Sequence, residues 1–221
     1  MIRSKVTCAA LLVPLLASVA VGGANGAEAK RCVSFKVAAR IGGASVCLAA
    51  GERCQTNHRL GYARSGLRCR TGRLEYDWEP LRRPLHLPAI QPGASCPATP
   101  AGPRGFGPGP AYPTLGMSSH AAIRVTWESN PYVGWSGTKV LWRVPAYAGA
   151  VLVRGRQLDG GGTVGFDLGP QWTRRVLAEI KLVGPHPLRP AASFVRASGC
   201  YAYQVDTLRS SYQIVFAAQT E

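Results

Sequence analysis

Acidic residues are scarce. Eleven Asp and Glu stand against 26 Lys and Arg, which gives a formal net charge of +15. Such a chain attracts anionic polymers non-specifically and over long range. Histidine is thin as well: His58, His86, His120 and His186 are scattered, and none has a second histidine at metal spacing. No two cysteines form a Cys-x-x-Cys pair. A zinc site of the usual kind is therefore not expected. No phosphate loop or long amphipathic helix occurs, so no nucleotide cofactor is expected. Beyond the N-terminus no apolar run is long enough to span a bilayer.

What is present begins with a leader. Arg3 and Lys5 precede an apolar run from Val6 to Val21, and small residues at Ala24, Ala27 and Ala29 follow. Residues 1–29 read as a signal peptide, and no transmembrane span is expected after its removal. Removal would also take Cys8 and, with Arg3, Lys5 and Glu28 gone, lower the net charge to +14. Six cysteines then remain: Cys32, Cys47, Cys54, Cys69, Cys96 and Cys200. An even count in an exported chain predicts disulfides and an extracellular or cell-envelope location.

Composition divides the rest into three stretches. Residues 30–78 read as a small cysteine-rich module. Val33, Phe35 and Val37 alternate with polar or small residues, as a strand would. Gly42-Gly43 offers a two-residue hairpin turn into a second strand over residues 44–49. A short helix is predicted from about Gln55 to Arg64, and Gly66 stops it. A second hairpin is predicted over Leu67–Arg70 and Arg73–Tyr76. Residues 79–113 carry ten prolines among glycines and read as a semi-rigid linker that does not join a sheet interior.

Residues 114–221 read as a larger all-β module. Predicted strands are Ala121–Trp127, Thr138–Val144, Val151–Leu158, Val164–Asp167, Val176–Leu182, Cys200–Asp206 and Ser211–Ala217. Turns at Asn130-Pro131, Asp159–Gly162 and Gly184-Pro185 separate them. Many short strands at this spacing predict an antiparallel sandwich. In the last strand Tyr212, Ile214 and Phe216 alternate with Gln213, Val215 and Ala217, which makes one face the greasier.

Gly199-Cys200-Tyr201 followed by Gln204-Val205-Asp206, and Ile214-Val215-Phe216 after Ser211, resemble the ending of a family of secreted bacterial modules without an assigned activity. Thr207 stands where that pattern has a turn glycine. Tyr112–Gly116, Gly134–Gly137 and Val151–Gly155 resemble it too. The resemblance implies an immunoglobulin-like β-sandwich and brings no activity. Cys47-Leu48, Gly51, Cys54, Tyr62, Gly66–Cys69 and Gly72–Leu74 resemble a short module of other secreted bacterial proteins, also without known activity.

The chain holds few catalytic patterns. Ser136 and Lys139 have the Ser-x-x-Lys spacing of penicillin-recognising enzymes, which needs both on one helical face. The following Val-Leu-Trp predicts a strand, which points the two to opposite faces. Gly134–Gly137 resembles a nucleophile elbow with Thr138 at the second glycine position. Ser198-Gly199-Cys200 has Ala197 where peptidoglycan transpeptidases carry Ser or Thr. Glu128, Asp159, Asp167, Glu179 and Asp206 are dispersed, and Asp159 and Asp206 head turns, where carboxylates form local hydrogen bonds. Trp127, Trp135 and Trp142 read as core or rim.

The reading is therefore an exported, non-catalytic binding or envelope-associated protein, with a hydrolase of envelope material as the alternative. Its partner would be an anionic envelope polymer or a protein, and no specific nucleic acid is implied. Arg59, Arg64, Arg68, Arg70 and Arg73 crowd the small module and are the candidate polyanion contacts. If the first hairpin extends to Cys32, that residue lies about 20 Å from Cys47, at about 3.3 Å per residue. The expected bridges are then Cys32–Cys54 and Cys47–Cys69, with Cys54–Cys69 as the rival pair. Cys96 and Cys200 are left to bond each other.

Overall fold

The computed structural model describes residues 32–33, 35–91, 93–116, 119–125, 132–168 and 175–220. The leader, Trp127, Glu128 and the Asn130-Pro131 turn lie outside these residues. The chain is mainly β, with three disulfides.

In the small module β1 (Val37–Ile41) and β2 (Ala44–Leu48) form an antiparallel hairpin. Its turn places Gly42 and Gly43 at φ of 56° and 86°, where a side chain would be strained. A single 3-10 turn at Thr56–His58 leads into α1 (Arg59–Ala63), shorter than the expected helix. β3 (Leu67–Arg70) and β4 (Arg73–Tyr76) pair about the Thr71-Gly72 turn. Only Tyr62, Leu67 and Leu74 form the fully buried centre. The bridges are Cys32–Cys47 and Cys54–Cys69, which corrects the expected Cys32–Cys54 and Cys47–Cys69 pairs. The chain before Val37 is not a strand: Lys36 N–H donates to the Val33 carbonyl and Phe35 takes a positive φ of 67°. That turn brings Cys32 back beside β2, with its Cα 5.5 Å from that of Cys47.

Residues 79–113 do not behave as a linker. A 3-10 turn at Glu79–Leu81 buries Leu81 against Ala150 and Leu152. Leu87, Ile90 and Cys96 pack on Cys200, Ala202 and Val215. β5 (Ala101–Gly102) and β6 (Gly105–Phe106) make a small hairpin, and β7 (Tyr112–Pro113) joins the main sheet as an edge piece. The stretch is a strap over the outer face of that sheet. Proline fits because the strap bonds mainly through side chains of its neighbours rather than through a ladder.

The remaining strands are β8 (Ala122–Val125), β9 (Ser136–Gln157), β10 (Gly165–Asp167), β11 (Glu179–Val195), β12 (Gly199–Thr207) and β13 (Ser211–Thr220). Their order is β10-β11-β9-β12-β13-β8, with β7 beside β9. An immunoglobulin-like sandwich has two sheets; here the described strands join in one curled seven-stranded sheet. Two long strands make the difference. β9 merges the predicted strands at 138–144 and 151–158, and β11 runs through the predicted Gly184-Pro185 turn. β9 and β11 pair from Ser136 to Val144 and again from Gly149 to Arg154, with register shifts around His186. At the bend a Cβ on Gly184 would fall 2.1 Å from the Tyr147 carbonyl oxygen, so only glycine fits.

The bend folds one half of the sheet over the other. Tyr203 of β12 shows this: its ring meets Trp142 of β9 at 5.4 Å, Phe166 of β10 at 5.9 Å and Phe216 of β13 at 4.4 Å. Its hydroxyl donates to Ser193 Oγ on β11 at 2.8 Å. Of the tryptophans expected at core or rim, Trp142 is core, and half-buried Trp135 sits under the Arg196 guanidinium at 4.3 Å.

Candidate functional site

β12 is buried on both faces. Tyr201, Tyr203 and Val205 enter the core, while Cys200, Ala202, Gln204 and Asp206 face the strap. The side-chain amide and carboxylate of the strap-facing side are hydrogen-bonded. Gln204 accepts from His86 N–H at 2.7 Å and donates to the Pro84 carbonyl at 3.1 Å. Asp206 accepts from Gln204 Nε2 and from Arg154 at 2.8 Å. Arg154 also donates to the Arg83 carbonyl. Cys200 bonds Cys96. Asp206 therefore holds the strap and not the turn. Thr207 closes the turn instead: its hydroxyl accepts from Ser210 N–H at 2.9 Å and from Arg209 N–H at 3.2 Å.

This turn carries Leu208 and Arg209 to the small module. There a cleft opens between the two parts of the molecule. One wall is the β9 bend, Tyr147 to Ala150; the other is Val37, Ala38 and the Arg64–Gly66 segment after α1. Leu81 forms part of its floor. The cleft encloses about 200 Å³ and continues into a hollow of about 260 Å³ beside Arg40 and Ser45. Arg64 and Arg209 line both spaces. No carboxylate lines either. Arg40, Arg64 and Arg209 are exposed, and none of the three is ion-paired among the described residues. Burial pushes the Tyr147 phenol up, against hydrogen bonds from Leu208 and Thr207.

The arginines singled out from sequence separate into two groups. Arg68 and Arg70 share Glu75, at 3.6 and 3.9 Å, and Arg73 donates to the Gly51 carbonyl at 2.8 Å. Arg59 is exposed on α1. Only Arg64 of the five reaches the cleft. Arg40 and Arg209 carried no sequence signal, because 169 positions separate residues that only the fold brings together.

The residues of the catalytic patterns are spread over the sheet and its loops. Ser136 begins β9 fully buried, and Lys139 is exposed on the same strand. Asp159 accepts from Cys200 N–H at 2.8 Å and from Gln157 Nε2 at 2.9 Å. Asp167 is buried and accepts from the Tyr132 hydroxyl at 2.7 Å. Glu179 binds Arg82 at 2.8 Å and is held below the ordinary carboxylate range by that hydrogen bond and charge. His58 stands edge-on to Tyr62; His86 lies in the strap, His120 just before β8 and His186 on β11. Among the described residues no three His, Cys, Asp or Glu group as metal ligands, and no helix is long and apolar enough to cross a membrane. No family model matches the chain, nor does any curated protein or solved structure.

Proposed function

We propose that this is an exported, non-catalytic binding protein whose ligand is an anionic polymer of the cell envelope. The observation that supports it is the cleft itself. Three guanidinium groups without an ion pair among the described residues, from β1, the end of α1 and the β12–β13 turn, converge on a groove with no carboxylate in its lining. Guanidinium forks suit phosphate and carboxylate groups, and a site with one sign of charge concentrates a polyanion locally. The groove continues past Arg40, so a chain fits better than a small anion. Three disulfides agree with work in an oxidising compartment.

The test is retention on envelope fractions at about 50 and 200 mM salt, where phosphate-type contacts lose affinity steeply. Arg64→Glu with Arg209→Glu should lower retention at the lower salt tenfold or more. Arg70→Glu, outside the cleft, should change it little. Retention that ignores salt, or survives the double reversal, sinks the reading.

A further inference from the structure

A second basic surface lies on the sheet and shares no lining residue with the cleft. Two hollows, of about 570 and 270 Å³, adjoin at Thr114 and Gly116. Together they form a trough that runs from β6 and β7 past the start of β9 to β8. Four cations rim it: Arg104, Arg143, Lys139 and Arg124. All four are exposed, and none is ion-paired among the described residues. No carboxylate lines either hollow. The floor is apolar, with Ile123 and Phe106 among its residues.

The trough also exposes a strand edge. β8 ends the sheet order and pairs only with β13 among the described residues. Ala217 N–H donates to the Ala121 carbonyl, so the odd-numbered residues of β8 bond β13. Alternation turns the N–H and C=O groups of Ala122 and Arg124 the other way, toward the trough they line. An unpaired edge of this kind is a template for another strand.

We propose that the trough receives an extended acidic peptide segment of a partner protein, which adds as a strand to β8. Strand addition supplies main-chain hydrogen bonds, and alternate side chains supply the selectivity. Acidic side chains on one face of such a segment meet the four cations, and apolar ones on the other meet the floor. A polysaccharide or polyphosphate would satisfy the charges and leave the β8 edge unmatched. That second observation decides for a peptide.

The experiment uses the full exported chain and a fluorescein-labelled peptide of eight alternating Glu and Val residues, read by anisotropy at about 50 mM salt. The same peptide with alternate backbone nitrogens methylated keeps its charge and loses its donors. The parent peptide should bind, and the methylated one should bind at least tenfold more weakly. Arg124→Glu with Lys139→Glu should weaken the parent at least tenfold, with the circular dichroism spectrum unchanged. Amide shifts at Ala122 and Arg124 should move on titration. Equal binding of both peptides, or no binding of the parent, overturns the proposal. So does inorganic polyphosphate that displaces the parent at equal charge and leaves the Ala122 and Arg124 amides unmoved. Because methylation alters only the peptide, the outcome does not depend on a variant folding.

Discussion

The small module and the curled sheet are held together by different means. The sheet buries a continuous set of large residues, with Trp142, Phe166, Tyr203 and Phe216 at its centre. Each such side chain contributes roughly 1.5–3 kcal/mol on burial. The small module fully buries three, Tyr62, Leu67 and Leu74, over some forty-five ordered residues. Ordering that backbone costs on the order of 1–2 kcal/mol per residue, so burial alone does not hold it. Its two disulfides and its seat on the sheet supply the balance. Tyr76, Trp78 and Leu81 pack against Ala150 and Leu152 there, and Arg82 reaches Glu179. A cross-link is therefore worth most in free energy where its loop is long, yet matters most to integrity where the core is small.

The largest loss in free energy should come from the sheet. Cys96 and Cys200 lie 104 residues apart, for which chain entropy assigns about 4–5 kcal/mol as an upper figure. Cys96→Ser with Cys200→Ala should lower the denaturant midpoint of the sheet and detach the strap near Ile90 and Cys96. The sheet should remain folded at room temperature, as read by near-ultraviolet circular dichroism. An unfolded variant would show that the aromatic core does not suffice and would erase the contrast.

A smaller change should do more damage in the small module. Cys54 and Cys69 lie 15 residues apart, worth about 3 kcal/mol on the same model. Cys54→Ser with Cys69→Ser should open residues 50–76 to rapid amide exchange and proteolysis while the amides of β12 and β13 stay protected. Protection that persists in β3 and β4 would mean that the seat on the sheet, and not the bridge, holds the module.

The smallest effect concerns the joint between the two parts. Glu179 is depressed below its ordinary 4.5 chiefly by its hydrogen bond with Arg82. A depressed carboxylate stabilises above its unfolded value and loses that contribution as pH falls through the lower folded value. Arg82 is more than a third exposed, so solvent screening keeps the contribution small. Glu179→Gln should cost a few tenths of a kcal/mol in urea melts near pH 6 and nothing near pH 3. A difference that is unchanged in acid would remove the ion pair from the joint.

Local features were legible because their causes are local. The Gly42-Gly43 turn, the β3–β4 hairpin and the alternation of Tyr212, Ile214 and Phe216 follow from turn chemistry and period two. The strap was not legible. Ten prolines announce a stretch that does not join a sheet interior, but not that neighbouring side chains will bind it. Asp206 reads as a turn residue, and only the chain crossing above it and Gln204 makes the two interior. The Cys32–Cys47 bridge was missed for a similar reason, since one residue with positive φ at Phe35 reverses a run that reads as extended.

By itself the sequence determined the mainly-β class, the excess of positive charge, the two hairpins of the small module and the Cys96–Cys200 partnership. These depend on composition, on neighbours a few residues apart, or on elimination among six cysteines. Only the tertiary structure decided that β9 and β11 run unbroken through a bend, that Arg40, Arg64 and Arg209 share a cleft, and that β8, among the described residues, pairs on one side alone. Each of those depends on which distant segments the curl of the sheet brings within reach. Pairing over a hundred residues is governed by packing of the whole core and leaves no periodic mark on the chain.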